Sequence, residues 1–141
     1  MKTLLKSVSI TLVLVLALFA AIGCKEDEAA ELWKDALYTE DTTLGSGAKT
    51  VTVSVSAEDK TVVFTIKTDK TILGDALAEH NLIQGEQGAY GLYIKTVNGI
   101  KADYDTDGYY WGFYQNGDYM MTGVDGTEIS GGESYELVRT K

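Results

Sequence analysis

One stretch, Tyr109 to Met121 (YYWGFYQNGDYMM), constrains the fold more than any other. It sets aromatic and apolar residues on both sides of Asn116-Gly117. Asn-Gly is the strongest short-range signal for a two-residue hairpin, because both turn positions need positive φ. Closing the turn there predicts the register: Gln115 faces Asp118, Tyr114 faces Tyr119, Phe113 faces Met120 and Gly112 faces Met121. Strand side chains alternate between faces. One face therefore carries Tyr109, Trp111, Phe113 and Met120, the other Tyr110, Tyr114, Tyr119 and Met121. A small sheet normally buries one face and wets the other. The Trp/Phe/Met face reads as core. The phenol face reads either as a contact surface, since tyrosine joins apolar area to a water-tolerant hydroxyl, or as a face covered by a second layer.

The rest of the chain supplies strands and one helix. Thr50 to Ala57 alternates, with Val51, Val53 and Val55 on one face, and Glu58-Asp59-Lys60 turns it into Val62 to Lys67, with Val62, Phe64 and Ile66 inward. Thr71 is expected to N-cap a helix whose buried stripe is Ile72, Leu73, Ala76, Leu77 and then Leu82 or Ile83. Asp75 lies near its positive end, and Asn81 or Gly85 ends it. Gln84 to Gly91 reads as a glycine-punctuated loop, Leu92 to Val97 as a strand, Asn98-Gly99 as a second turn, and Ser134 to Arg139 as the last strand. The order β-β-α-β-β-β, with a single helix on a mixed sheet, predicts an α+β domain of β-grasp type. No proline occurs, so turns rest on Gly, Asn and Asp.

The N-terminus has a different character. Lys2 and Lys6 precede an almost wholly apolar run, Ile10 to Ile22, which is shorter than the roughly 18–20 residues a spanning helix needs. Residues 1–23 are therefore expected to be an export signal. Ala21-Ile22-Gly23-Cys24 resembles the lipobox of bacterial lipoproteins, in which the signal is cut before the cysteine and the cysteine is lipidated. The alternatives are an ordinary secretory signal with a chance cysteine, or a buried thiol. Cys24 is the only cysteine, so no disulfide forms within the chain. Lipidation at Cys24 would anchor the protein to the outer face of a bacterial membrane. Residues 24–48 are then a tether and N-terminal docking segment, and 49–141 the domain. Within the tether, Glu31 to Tyr38 forms either an amphipathic turn or an edge strand, and Trp33 is expected to dock.

Removing Lys2 and Lys6 with the signal leaves 10 basic against 21 acidic residues, a net charge of −11. That argues against electrostatic binding to nucleic acid or to an anionic membrane surface. One histidine, His80, and no G-x-S-x-G leave no nucleophile–base pair, and zinc lacks ligands. No catalytic residue and no cofactor are expected. Asp103 to Gly108 reads D-x-D-x-D-G, the opening of an EF-hand loop, but the twelfth position is Tyr114 rather than a bidentate Glu. A solvated acidic turn is the expectation.

Four stretches in order resemble one family: Thr71 to Leu77; Gly91 to Ile94 through Val97 to Ile100; Tyr110-Trp111 through Tyr114, Asn116 and Gly117; and Gly123-Val124-Asp125 followed by Gly132 to Leu137. The chain is similar to the transcobalamin-like C-terminal domain family, the small β-rich half of vertebrate cobalamin carriers, which also occurs in exported bacterial lipoproteins. The resemblance implies a domain that closes over one face of a corrinoid. It places the positions matched by Tyr110-Trp111 and Gly123-Val124 on the ligand side. With the phenols Tyr114 and Tyr119, these are the expected ligand-binding residues. The carriers' helical barrel has no counterpart in 141 residues. The expected partners are a planar small molecule, the membrane through the lipid anchor, and, as the alternative, another envelope protein; carbohydrate stacking is a weaker third.

Overall fold

The computed structural model describes residues 29–141. The export signal, Cys24 and the start of the tether lie outside the described residues. Residues 29–33 are helical, and Trp33 is buried. From Asp35 onward the chain forms an α+β unit. Its strands are β1 (Thr42–Leu44), β2 (Lys49–Ala57), β3 (Lys60–Thr68), β4 (Ile83–Gly88), β5 (Gly91–Val97), β6 (Ile100–Lys101), β7 (Tyr110–Gln115), β8 (Asp118–Tyr119) and β9 (Ser134–Thr140). Helix α1 spans Leu73–Ala78, a helical turn α2 spans Tyr104–Asp107, and Val124–Gly126 is a 3₁₀ turn.

The described strands make two sheets where one was expected. Six strands lie in the order β1-β3-β2-β9-β7-β8 and three in the order β4-β5-β6. The β2–β3 hairpin has the predicted faces, since Val51 pairs with Ile66, Val53 with Phe64 and Val55 with Val62. All six are buried, each contributing about 1.5–3 kcal/mol of burial. β9 fills the centre of the large sheet, parallel to β2 and antiparallel to β7, and adds buried Tyr135 and Leu137 to the same face. β1 joins the far edge as a parallel neighbour of β3, which no alternation in Thr42-Thr43-Leu44 announces.

Helix α1 starts differently from expectation. Thr71 does not cap it: Ile72 holds the N-cap position with no side-chain bond. The main chain does that work. Ile72 bridges to Glu128, Leu73 N donates to Thr127 O (2.9 Å), and Ile129 N donates to Thr71 O (2.9 Å). At the other end Asn81 takes the left-handed conformation (φ 57), with Leu82 N bonded to Leu77 O and Asn81 N to Ala78 O. This is a Schellman stop with Asn in the glycine position. Leu73, Ala76, Leu77, Leu82 and Ile83 are buried as expected, and Ile72 is half-buried.

Gln84 to Gly88 is a strand, not a loop, and pairs with β5 through a two-residue turn at Ala89-Tyr90. Its composition hid it. Gly85 lies beside a register shift, where a Cβ would run into the Tyr93 carbonyl, and the residues after Ile83 are exposed. Glycine here marks close backbone approach. The turn at Asn98-Gly99 forms as predicted, with φ of 52 and 78. Asn98 is fully buried and ties down the incoming chain: its Oδ1 accepts from Tyr38 N (3.0 Å), and its Nδ2 donates to Tyr38 O (2.8 Å). A Cβ on Gly99 would collide with the Asp35 carbonyl, so this crossing requires glycine.

Candidate functional site

The Asn116-Gly117 hairpin closes as its sequence dictates. Both residues have positive φ (51 and 84), Gln115 pairs with Asp118 and Tyr114 with Tyr119. Met120 N donates to Phe113 O (2.9 Å), and the chain then turns away. β8 is thus only two residues long. Beyond it, β7 from Tyr110 to Gly112 has no strand partner on that side among the described residues.

A cleft of about 240 Å³ lies there, bounded by β7 (Tyr110, Trp111, Phe113), by Tyr119 to Val124 and by Leu92, Tyr93 and Ile94 of β5. Because consecutive strand residues point to opposite faces, a cleft at a strand edge gathers residues from both. Trp111 and Phe113 are buried as the core reading expects, and Tyr119 and Met121 are exposed, yet residues of both faces meet at the cleft. Trp111, Phe113 and Met120, expected in the core, share the cleft with Tyr110, Tyr119 and Met121. Tyr109, expected with them, is half-buried, and Arg139 covers its ring at 3.9 Å.

Of the residues expected to bind ligand, Tyr110, Trp111, Tyr119, Gly123 and Val124 line the cleft. Tyr114 does not. Its ring lies over Gly112, where a Cβ would sit 3.0 Å from Tyr114 Cε2, and meets the Tyr119 ring edge-on at 5.6 Å. Trp111 is 8% exposed, and its indole Nε1 has no hydrogen-bond partner among the described residues. Val124 is fully buried at the floor. The rim is open: Tyr93 is 42%, Tyr119 59% and Met121 93% exposed. Leu92, Tyr93 and Ile94 carry a strand signal and part of the family resemblance, but neither marks them as ligand-side. No local feature brings them here, because β5 approaches β7 through tertiary packing alone.

In Asp103 to Gly108 the carboxylates cap their own loop. Asp103 accepts from Asp105 N (3.3 Å), and Asp107 accepts from Asp103 N (3.2 Å) and Tyr109 N (2.8 Å). Asp107 also pairs with Arg139 (3.4 Å). Among the described residues no three His, Cys, Asp or Glu side chains gather as metal ligands. His80 is half-buried, and its Nε2, near Gly45, has no hydrogen-bond partner among the described residues. Among the described residues no helix is long and apolar enough to cross a membrane.

Fold and cleft together define a small α+β domain with an aromatic cleft at the open edge of its larger sheet. Residues 69–135 match DUF4430, a domain of unknown function. A crystal structure of a Ruminococcus gnavus ATCC 29149 protein, to which metal binding is ascribed, is 36% identical with a TM-score of 0.63. The match covers 67% of this chain and 98% of that one. At that identity over nearly the whole relative, the chain belongs to the same family as the Ruminococcus protein. Haptocorrin, solved in complex with Cbi, matches at a TM-score of 0.53 and 20% identity, over 70% of this chain and 26% of haptocorrin. That likeness is one of fold. No curated protein matches the chain.

Proposed function

We propose that the protein is an exported lipoprotein, anchored through Cys24 to the outer face of a bacterial membrane, whose domain binds a planar small molecule and catalyses no reaction. A corrinoid is the ligand named by the resemblance to the cobalamin carriers. The carrying observation is convergence: Tyr110, Trp111, Tyr119, Gly123 and Val124, which the aromatic hairpin and the family resemblance mark as ligand-binding, line one cleft. The fold shared with haptocorrin, solved with Cbi, supports the same reading. The cleft, at about 240 Å³, is smaller than the roughly 300–1,000 Å³ of pockets that enclose whole ligands. It suits one edge or face of a larger flat molecule, with aromatic surface to stack on.

The test is calorimetric titration of cobinamide and cobalamin into residues 25–141. Saturable binding, weakened at least tenfold in the Tyr110→Ala/Tyr119→Ala double variant, is the expected result. No saturable binding across both corrinoids overturns the corrinoid reading. The exposed Tyr93, Tyr119 and Met121 on the rim favour one alternative, an envelope protein docking on the same patch. It predicts loss of a specific partner, rather than of a corrinoid, on the same double substitution.

A further inference from the structure

The wall of the cleft formed by β5 belongs to a two-stranded arm, packed on β7 through the buried Ile94 at its inner part and exposed toward its tip. Past β6, strands β4 and β5 run as a two-stranded ribbon whose outer strand is exposed from Gln84 to Gly88 and whose tip carries the fully exposed Tyr90. A two-stranded hairpin is marginal in water, so its position depends on its anchors. Among the described residues, one side-chain hydrogen bond reaches the distal half of the arm from the body of the domain: Leu92 N donates to Asp125 Oδ2 at 3.1 Å.

The surroundings of Asp125 are shaped to that contact. A Cβ on Gly91 would sit 2.8 Å from Asp125 Oδ1 and 3.3 Å from Oδ2, and a Cβ on Gly123 would sit 2.9 Å from Oδ1. Two glycines therefore leave room for one carboxylate. The base of the contact is firm, because the Asp125 backbone rests on α1, where a Cβ on Gly74 would lie 3.1 Å from Asp125 Cα. Leu92 and Tyr93 line one wall of the cleft, and Gly123 and Val124 line its floor. The geometry points to Asp125 as a positioning residue: its carboxylate latches the β4–β5 arm to the 3₁₀ turn and so sets the width of the cleft. The consequence for ligand rests on the proposed binding function; the latch itself does not.

Amide hydrogen exchange of residues 25–141, read by NMR, separates the two. In Asp125→Ala the Leu92 amide exchanges at least tenfold faster, while the Thr127 amide, bonded to Val124 O, stays protected. Asp125→Asn retains an acceptor oxygen and loses less. Gly123→Ala, at an extended φ of −71 that any residue adopts, puts a Cβ 2.9 Å from Asp125 Oδ1, displaces the carboxylate and loosens the same amide. Unchanged Leu92 exchange in Asp125→Ala, with Thr127 protected, overturns the latch. Where Asp125→Ala also exposes Thr127, Gly123→Ala decides by the same criterion. A cobinamide titration is the second arm. Where the native domain binds, Asp125→Ala weakens binding about tenfold, and unaltered affinity overturns control of the cleft by the latch. Where the native domain does not bind, the binding function fails and the exchange result still judges the latch.

Discussion

Substitution of Asn98 tests how the chain leading into the domain is held. Asn98 has two duties, a left-handed turn at φ 52 and a buried pair of hydrogen bonds to Tyr38 N and Tyr38 O at 3.0 and 2.8 Å. Asn98→Gly keeps the first and loses the second. Each lost bond leaves a part-buried backbone group unpaired, at about 1–2 kcal/mol, so roughly 2–4 kcal/mol in all. Asn98→Ala loses the same bonds and adds about 1–2 kcal/mol for an L side chain in the left-handed region. Alanine should therefore be the worse substitution by about 1 kcal/mol, reversing the order seen inside helices and strands, where glycine is the costlier. Urea unfolding of residues 25–141 reads both variants, with the midpoint shifting and the slope preserved. At roughly 4 °C per kcal/mol for a domain of this size, Asn98→Gly lowers Tm by about 10 °C. Glycine and alanine variants of equal stability, or alanine the more stable, would refute the argument. So would a native-like midpoint for Asn98→Gly.

Two further outcomes concern the core and the acid limb. Tyr135 is 1% exposed, and its hydroxyl has no partner among the described residues; burial and then Glu133 raise its pKa. Tyr135→Phe removes an unsatisfied polar atom while keeping the ring stacked on Phe113, so it should stabilise by about 1 kcal/mol in thermal or urea unfolding; a clear loss of stability contradicts this. For Glu133, burial acts to raise the carboxyl pKa, but hydrogen bonds from the Ser130 and Gly131 amides prevail and hold it below the usual value. A depressed carboxyl pKa gives stability that is present above the unfolded value and lost as pH falls through the folded one. Glu133→Gln should therefore cost stability at neutral pH and flatten the decline below about pH 4.5, as measured by urea midpoints across pH.

Much of this fold is local chemistry. The hairpin at Asn116-Gly117, the turn at Asn98-Gly99 and the paired faces of β2 and β3 follow from residue type and a period of two, because turn dihedrals and side-chain alternation are decided within a few residues. The helix stop at Asn81 is legible for the same reason. Its start is not, since main-chain bonds from Leu73 N to Thr127 O and from Ile129 N to Thr71 O, more than 50 residues apart in sequence, replace the expected Thr71 cap. β4 is hidden because its glycines serve a close approach to β5 that exists only once the pair has formed.

The residues of the cleft divide along the same line. The sequence alone established that Tyr110, Trp111 and Tyr119 sit on one aromatic hairpin, and the resemblance added Gly123 and Val124. Only tertiary structure decided that β8 would stop after two residues, that β5 would close the other side, and that Tyr114 would fold over Gly112 instead of joining its neighbours. Alternation sorts side chains between the faces of a strand. It carries no information about where an edge is left open, because an open edge depends on which distant strand fails to arrive.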